Sequence, residues 1–248
     1  MKILSCNVNG IRAAHKKNFL QWVKRSRADI ICLQEIKAQK EQLPAGFLHL
    51  NNYNSYFNFA NKKGYSGVAI YSKQKSLKNG YKLGLKRFDQ EGRMIKIEYP
   101  NFILLNLYLP HGGRKKENLK YKLESYNYLF KYLRRLKNKN VILTGDFNIA
   151  HQEIDLARPK SNQNNIMFTS KEREQIDKLL NLGFVDSFRK VNLKGGNYTW
   201  WSNAFNARER NIGWRLDYAF TSNKIAIKKA FIFNKVKVSD HCPISLEV

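Results

Sequence analysis

At 248 residues, with 43% hydrophobic and 13% aromatic content, the chain is long enough to bury a large core and too apolar for a disordered segment. Its 45 Lys and Arg against 19 Asp and Glu give a net charge of +26. That charge is either a field that steers a polyanion inward or a drift toward lysine and asparagine codons. The scattered Cys6, Cys32 and Cys242 exclude a disulfide frame or a zinc site, and FILLNLYLP, the most apolar run, is too short to span a membrane.

In chain order, the opening MKILSCNVNG turns polar by Asn7 and lacks the apolar stretch of a signal peptide, so a soluble, cytoplasmic protein is expected. Short apolar runs predict strands at KILSCNVN, DIICLQE, NSYFNFA, SGVAIYS, RMIKIEYP, FILLNLYLP and VILTGDFN. Further strands are expected at NYTWWS, RLDYAFTS, KKAFIF and CPISLEV. Helices are expected over 11–26, about 115–137, and 170–181. The last opens with the capping box Thr169-Ser-Lys-Glu172 and stops at Gly183. No linker or repeat divides the chain, which predicts one domain over 1–248. Its class is α/β: two packed mixed β-sheets flanked by helices, a four-layer sandwich.

The strand ends share a habit. VILTGDFN closes on Asp146 and Asn148, residue types that strands disfavour. LSCNVNG ends on Asn7 and Asn9, ICLQE on Glu35 and NLYLP near Tyr108, while GWRLDY carries Asp217 and SDHCP places Asp240 and His241 before the final strand. One such residue is usually a turn or cap; six strand ends on one rim would build a pocket of carboxylates, amides, a phenol and an imidazole.

That set suits phosphodiester hydrolysis, which needs a cation, an oriented water and donors for developing charge. Glu35 offers a hard oxygen ligand, and Asn9 and Asp240 would complete a partly hydrated Mg²⁺ site, with Mn²⁺ as a substitute. Asp146 would position or deprotonate the water, with Asn148 fixing its geometry. His241 would donate to a non-bridging oxygen while Asp217 orients the imidazole.

The ordered set NVNG, LQE, NLYLP, GDFNIAHQEIDL, NIGWRLDY and SDHCP resembles the exonuclease III/apurinic-apyrimidinic endonuclease family of the endonuclease–exonuclease–phosphatase fold. The resemblance runs from Met1 nearly to Val248 with no missing block. It implies that Glu35 binds metal, that Asn7 hydrogen-bonds the acids and belongs with the DNA-contact residues, that Tyr108 contacts the scissile phosphate, and that Asp146 and Asn148 orient water. It pairs Asp217 with His241 and sets Asp240 near the metal. Asn162 and Asn165, in PKSNQNN, match positions that contact DNA, and Arg114 matches one that enters a groove. Trp200, Trp214 and Leu216 would wall a pocket for a flipped sugar without its base, although the residues alone favour core for both tryptophans. His111 is either a phosphate contact or a solvated loop residue.

Two departures stand out. Asn9 replaces an acid in some members, which lowers the charge at the metal, and Ala204 replaces a bulky wedge, with Phe205 beside it. The expected activity is Mg²⁺-dependent incision 5′ to abasic sites in double-stranded DNA, together with resection or cleaning of 3′ ends, by a monomer with no membrane partner. A phosphoesterase of the same fold acting on lipid, inositol phosphate or RNA is the enzyme alternative. A DNA-binding module with a relic site is the other.

Overall fold

The computed structural model describes residues Met1–Val248. The strands are β1 (Lys2–Asn7), β2 (Ile30–Gln34), β3 (Asn54–Asn58), β4 (Val68–Ser72), β5 (Lys78–Gly80), β6 (Met94–Glu98) and β7 (Ile103–Tyr108). They continue as β8 (Val141–Asp146), β9 (Phe184–Asp186), β10 (Trp200–Trp201), β11 (Gly213–Trp214), β12 (Asp217–Ser222), β13 (Lys229–Ile232) and β14 (Ile244–Glu247). The helices are α1 (Ile11–Lys16), α2 (Phe19–Ser26), α3 (Ala45–Leu48), α4 (Lys86–Gln90), α5 (Leu119–Arg134), α6 (Pro159–Asn162), α7 (Ser170–Asn181) and α8 (Ser187–Val191).

Two six-stranded sheets form, in the orders β13-β14-β1-β2-β4-β3 and β5-β6-β7-β8-β12-β9. Each contains one parallel pair, β1 with β2 and β7 with β8, and all its other pairs are antiparallel. Both parallel pairs are joined through helices, α1–α2 and α5, as a parallel crossover requires.

Side-chain alternation sorts the chain into layers. Ile3, Ile30 and Cys32 of one sheet meet Leu104, Ile142 and Ala219 of the other between the sheets. Leu4, Cys6 and Leu33 turn outward onto Phe19 and Val23. Leu105, Leu107 and Leu143 turn outward onto Tyr126, Leu129 and Ile176. This is the expected four-layer α/β sandwich.

The expected helix over 11–26 is broken, because Asn18 adopts φ 59. Ile11 and Ala14 are buried, and the next buried positions are Phe19, Leu20 and Val23. One continuous helix would place the buried Leu20 opposite Ile11, so the break rephases the apolar face. The capping box forms as read, with Thr169 Oγ1 accepting from the Glu172 amide, and the chain turns at Gly183 with φ 90. NYTWWS joins neither sheet; only Trp200–Trp201 pairs, in a ribbon with β11.

Candidate active site

Along each central strand the column facing the other sheet changes from apolar to polar toward one end. It reads Ile3–Ser5–Asn7 in β1, Ile30–Cys32–Gln34 in β2, Leu104–Asn106–Tyr108 in β7 and Ile142–Thr144–Asp146 in β8. In β12, which runs antiparallel to β8, it reads Thr221–Ala219–Asp217. Register then aligns the ends: Tyr108 lies opposite Asp146, and Asp146 opposite Asp217. Gly145 permits the row, since a Cβ there would sit 1.9 Å from the Leu107 carbonyl oxygen and its φ is 138.

Beneath the acids lies a layer that sequence reasoning missed. Gln34 donates to Ser5 Oγ (3.0 Å) and Asn106 Oδ1 (2.7 Å), and Asn106 donates to the Leu33 and Ala69 carbonyls. The available signal was a polar residue at an inward position of an otherwise apolar strand.

Asp146 is 1% exposed. Its Oδ1 accepts from the Asn148 amide (2.8 Å); its Oδ2 accepts from Asn7 (2.9 Å) and from the Asn148 side chain (3.1 Å). Asn148, at φ 52, also donates to the Leu109 carbonyl, so it holds the carboxylate it follows. His241 Nδ1 meets Asp217 Oδ2 at 2.8 Å, and its Nε2 lies 3.9 Å from Asp146 Oδ2. Burial raises the Asp146 pKa and the facing His241 lowers it, but Asp217 and Glu35 add to the rise, which reaches about 7. Burial works against a charged His241; Asp217 and Asp146 outweigh it and hold the imidazolium to about 10.

The opposite rim comes from the first sheet. Asn7 bridges the two sides by donating to Glu35 Oε1 (2.8 Å) as well as to Asp146. Burial pushes the Glu35 carboxyl up, but Lys37 at 2.7 Å and Asn7 outweigh it and hold it below its ordinary range. Asn9 donates to Asp240 Oδ1 (2.9 Å) and accepts from Lys37. Trp200 Nε1 donates to Asp240 Oδ2 (2.9 Å). Burial also pushes Asp240 up, yet His241 and these donors keep it low. Asn9, Glu35 and Asn148 all sit at positive φ, uncommon for residues with a side chain, where the strands break to present polar groups.

Glu35, Asn9 and Asp240 therefore share one rim and offer only oxygen donors, which fits a hard divalent cation. The other candidate group, Asp146, Asp217 and His241, has ligand atoms within 4.8 Å of one another. That group adds a ring nitrogen to its oxygens, a set less suited to a hard cation than the all-oxygen rim. Burial and Glu35 raise the Tyr108 pKa and keep the phenol protonated, although Arg93 opposes them with its guanidinium 4.4 Å from the ring centroid.

Beside this row opens a cavity of about 700 Å³. Trp200 belongs to both, and Trp214, Asn162, Asn165, Arg114, His111 and Ala204 also line it, so most of the DNA-contact candidates converge. Two do not. Asn7 is fully buried and its amide serves the acids, so it holds the site together and does not face a duplex. Leu216 lies 1% exposed beneath the tryptophans with Leu156 and Phe168; it backs the cavity and does not wall it. Phe205 is 88% exposed at φ 57 on the cavity rim.

The family model for the endonuclease/exonuclease/phosphatase family matches residues 4–241. An exodeoxyribonuclease of Bacillus subtilis is 46% identical over 252 residues, covering 99% of this chain and 98% of its own length. Among solved structures, an AP endonuclease from Archaeoglobus fulgidus superposes with a TM-score of 0.90 at 29% identity, over 100% of this chain and 98% of its own. The 3′ phosphatase NExo from Neisseria, solved bound to a product DNA hairpin, does so with 0.91 at 27%, over 100% and 98%. The chain belongs to the endonuclease/exonuclease/phosphatase family.

Proposed function

We propose that the protein is a DNA-repair nuclease of the exodeoxyribonuclease and AP-endonuclease type, cutting 5′ to abasic sites in duplex DNA and trimming 3′ ends with Mg²⁺. The observation that carries this is the cross-strand row Tyr108–Asp146–Asp217, paired with His241 and opening into a cavity edged by Trp200, Trp214 and Arg114. The activities for which the relatives are named support it, and so does the charge of +26.

Hydrolysis here forms a bond from water oxygen to phosphorus and breaks the bond from phosphorus to O3′, which takes up a proton from solvent and leaves as the 3′-hydroxyl. Asp146, with its pKa near 7, is matched to accept the water's proton near neutral pH. Asn7 and Asn148 fix its oxygens so that the attack line is set before substrate arrives. The His241 imidazolium, oriented by Asp217, donates to a non-bridging oxygen, and the protonated Tyr108 has a proton to offer a phosphate oxygen. Glu35, Asn9 and Asp240 would hold the cation, which when bound neutralises phosphate charge. The flat apolar walls of Trp200 and Trp214 would admit a sugar lacking a base, which has little stacking to lose. The protein is taken to act as a single-domain monomer in the cytoplasm.

Labelled abasic, intact and nicked duplexes, each with and without EDTA, test the reading. Incision of the abasic duplex and shortening of the nicked one, both abolished by EDTA and restored by Mg²⁺, are expected. Cleavage confined to lipid or plain nucleotide phosphodiesters would overturn it.

A further inference from the structure

The positive charge is not spread evenly. Between Gly10 and Ala28 the chain has six Lys and Arg and no acid, and between Tyr218 and Ser239 it has five Lys and no acid. These two stretches meet in a groove of about 530 Å³, well apart from the cavity described above in the residues that line it. Lys17, Gln21 and Arg25 form one wall and Lys235 and Lys237 the other, and all five are exposed. Only Lys237 has an acidic partner, Glu209 at 3.5 Å, a solvent-exposed pair of little strength.

The groove is held in shape. Trp22 stacks on Phe19 with centroids 5.8 Å apart and meets Phe233 edge-on at 5.2 Å, so both walls are pinned to one aromatic cluster. Arg208 clamps the second wall by donating to the carbonyls of Asn234, Val236 and Ser239. Both walls also lead directly into the active site. The first grows from Asn7 and Asn9 through α1, and the second ends at Asp240 and His241. Ser239 Oγ donates to the Asn7 carbonyl at 2.7 Å where they join.

We propose that this groove is a second contact surface for the DNA substrate, a track for the phosphate backbone leading away from the cut. The inference rests on the reading of the chain as a DNA nuclease. A polyanion suits it because several unpaired cations border a channel with no acid in its lining, and because both of its walls run, along the chain, into residues of the site that would bind the scissile phosphate. Backbone contacts of this kind set register and affinity without reading sequence. They lengthen the footprint on one side of the lesion only.

The test compares wild type with the double variant Arg25→Glu/Lys235→Glu. The probes are duplexes carrying a tetrahydrofuran abasic analogue, with a long arm on one side, on the other, or on neither. Each phosphate that the protein no longer neutralises lowers the slope of log affinity against log salt by about 0.9, so a drop of roughly two is expected, confined to one long-armed duplex. The short duplex should be bound and cut as by wild type. A neutral Arg25→Gln/Lys235→Gln pair should give the same pattern more weakly and guards against charge reversal disturbing the fold. An unchanged slope and arm-length dependence, the outcome if the groove takes an acidic peptide, would overturn the proposal. A uniform drop for every duplex would do so too, since it marks a long-range field. Absence of salt-dependent binding to any duplex by wild type would instead overturn the nuclease reading itself.

Discussion

Asp146 and Asp155 are the same side chain at the same 1% exposure, yet their surroundings push them in opposite directions. Asp155 accepts from Arg215 (2.8 Å) and Arg189 (3.1 Å), while Arg215 also reaches Asp186 at 2.7 Å, so two arginines meet two aspartates. Burial would raise the Asp155 pKa, but Arg215 and Arg189 hold it below its ordinary value. Asp146 is raised by the same burial, with Asp217 and Glu35 adding to the rise against His241 and the Asn7 hydrogen bond. Arg215 and Asp217 are two residues apart in GWRLDY, so one short motif feeds both clusters. Burial alone therefore does not mark a reactive acid; a local excess of like charge does.

The contrast can be broken most severely at Asp146. Asp146→Asn should lose roughly 10²–10⁴-fold in kcat, since a proton acceptor is gone. Raised Mg²⁺ or Mn²⁺ should not restore it. Glu35→Ala, which removes a metal ligand and not the base, should recover in part under the same titration. Full metal rescue of Asp146→Asn would exchange the two assignments.

Next comes the pair. Asp217→Asn and His241→Ala should each depress kcat by a similar factor, and the double variant should be scarcely worse, because groups acting as a unit do not lose independently. Multiplying losses in a double-mutant cycle would separate them.

The same Asp-to-Asn change in the balanced cluster should act on the fold. Asp155→Asn leaves Arg215 and Arg189 without their shared partner and should cost about 3–5 kcal/mol in denaturant unfolding. The pH signs differ as well. A lowered carboxyl stabilises above its unfolded value near 4 and loses that stabilisation as pH falls, so the Asp155→Asn deficit should be flat from pH 5 to 8. Asp146, raised to about 7, contributes stability below about 4 that is lost as pH rises through 7. Asp146→Asn should therefore gain stability relative to wild type over that same interval, and parallel curves would contradict the contrast.

The smallest effect is expected at the cavity rim. Ala204 is too short to fill a gap in a bent duplex, and Phe205 projects into solvent. Ala204→Met should tighten abasic-duplex binding several-fold and slow product release, because an apolar wedge offsets part of an unstacking cost of about a few kcal/mol. If Ala204→Met is silent while Phe205→Ala weakens binding severely, Phe205 is already the wedge.

Much of this was legible because two periodicities and a handful of breakers encode it. Alternation gave the strand columns, and Asp146, Glu35 and Asp217 betrayed the rim by standing where strands disfavour them. Thr169 and Glu172 gave the start of α7 by local hydrogen bonding alone. What stayed hidden depended on partners distant in sequence. Asn18 breaks a helix for the sake of an apolar stripe seen only once packed, and β5, β9 and β11 are too short to carry a pattern. Arg215 reads as one more cation among 45 until Asp155 and Asp186 are beside it. For Leu216 the sequence points to the correct site but to the wrong side of its surface, because it gives a position along the chain and not its depth, whereas the bond of Asn7 to the acids is as expected.

The most direct test is the single-turnover incision rate of one labelled abasic duplex by Asp146→Asn and Asp155→Asn side by side, at a temperature where both are folded. Asp146→Asn is expected to be inactive and Asp155→Asn to cut within a few-fold of wild type. Near-wild-type incision by Asp146→Asn, or an inactive but folded Asp155→Asn, would contradict the division between a reactive cluster and a structural one.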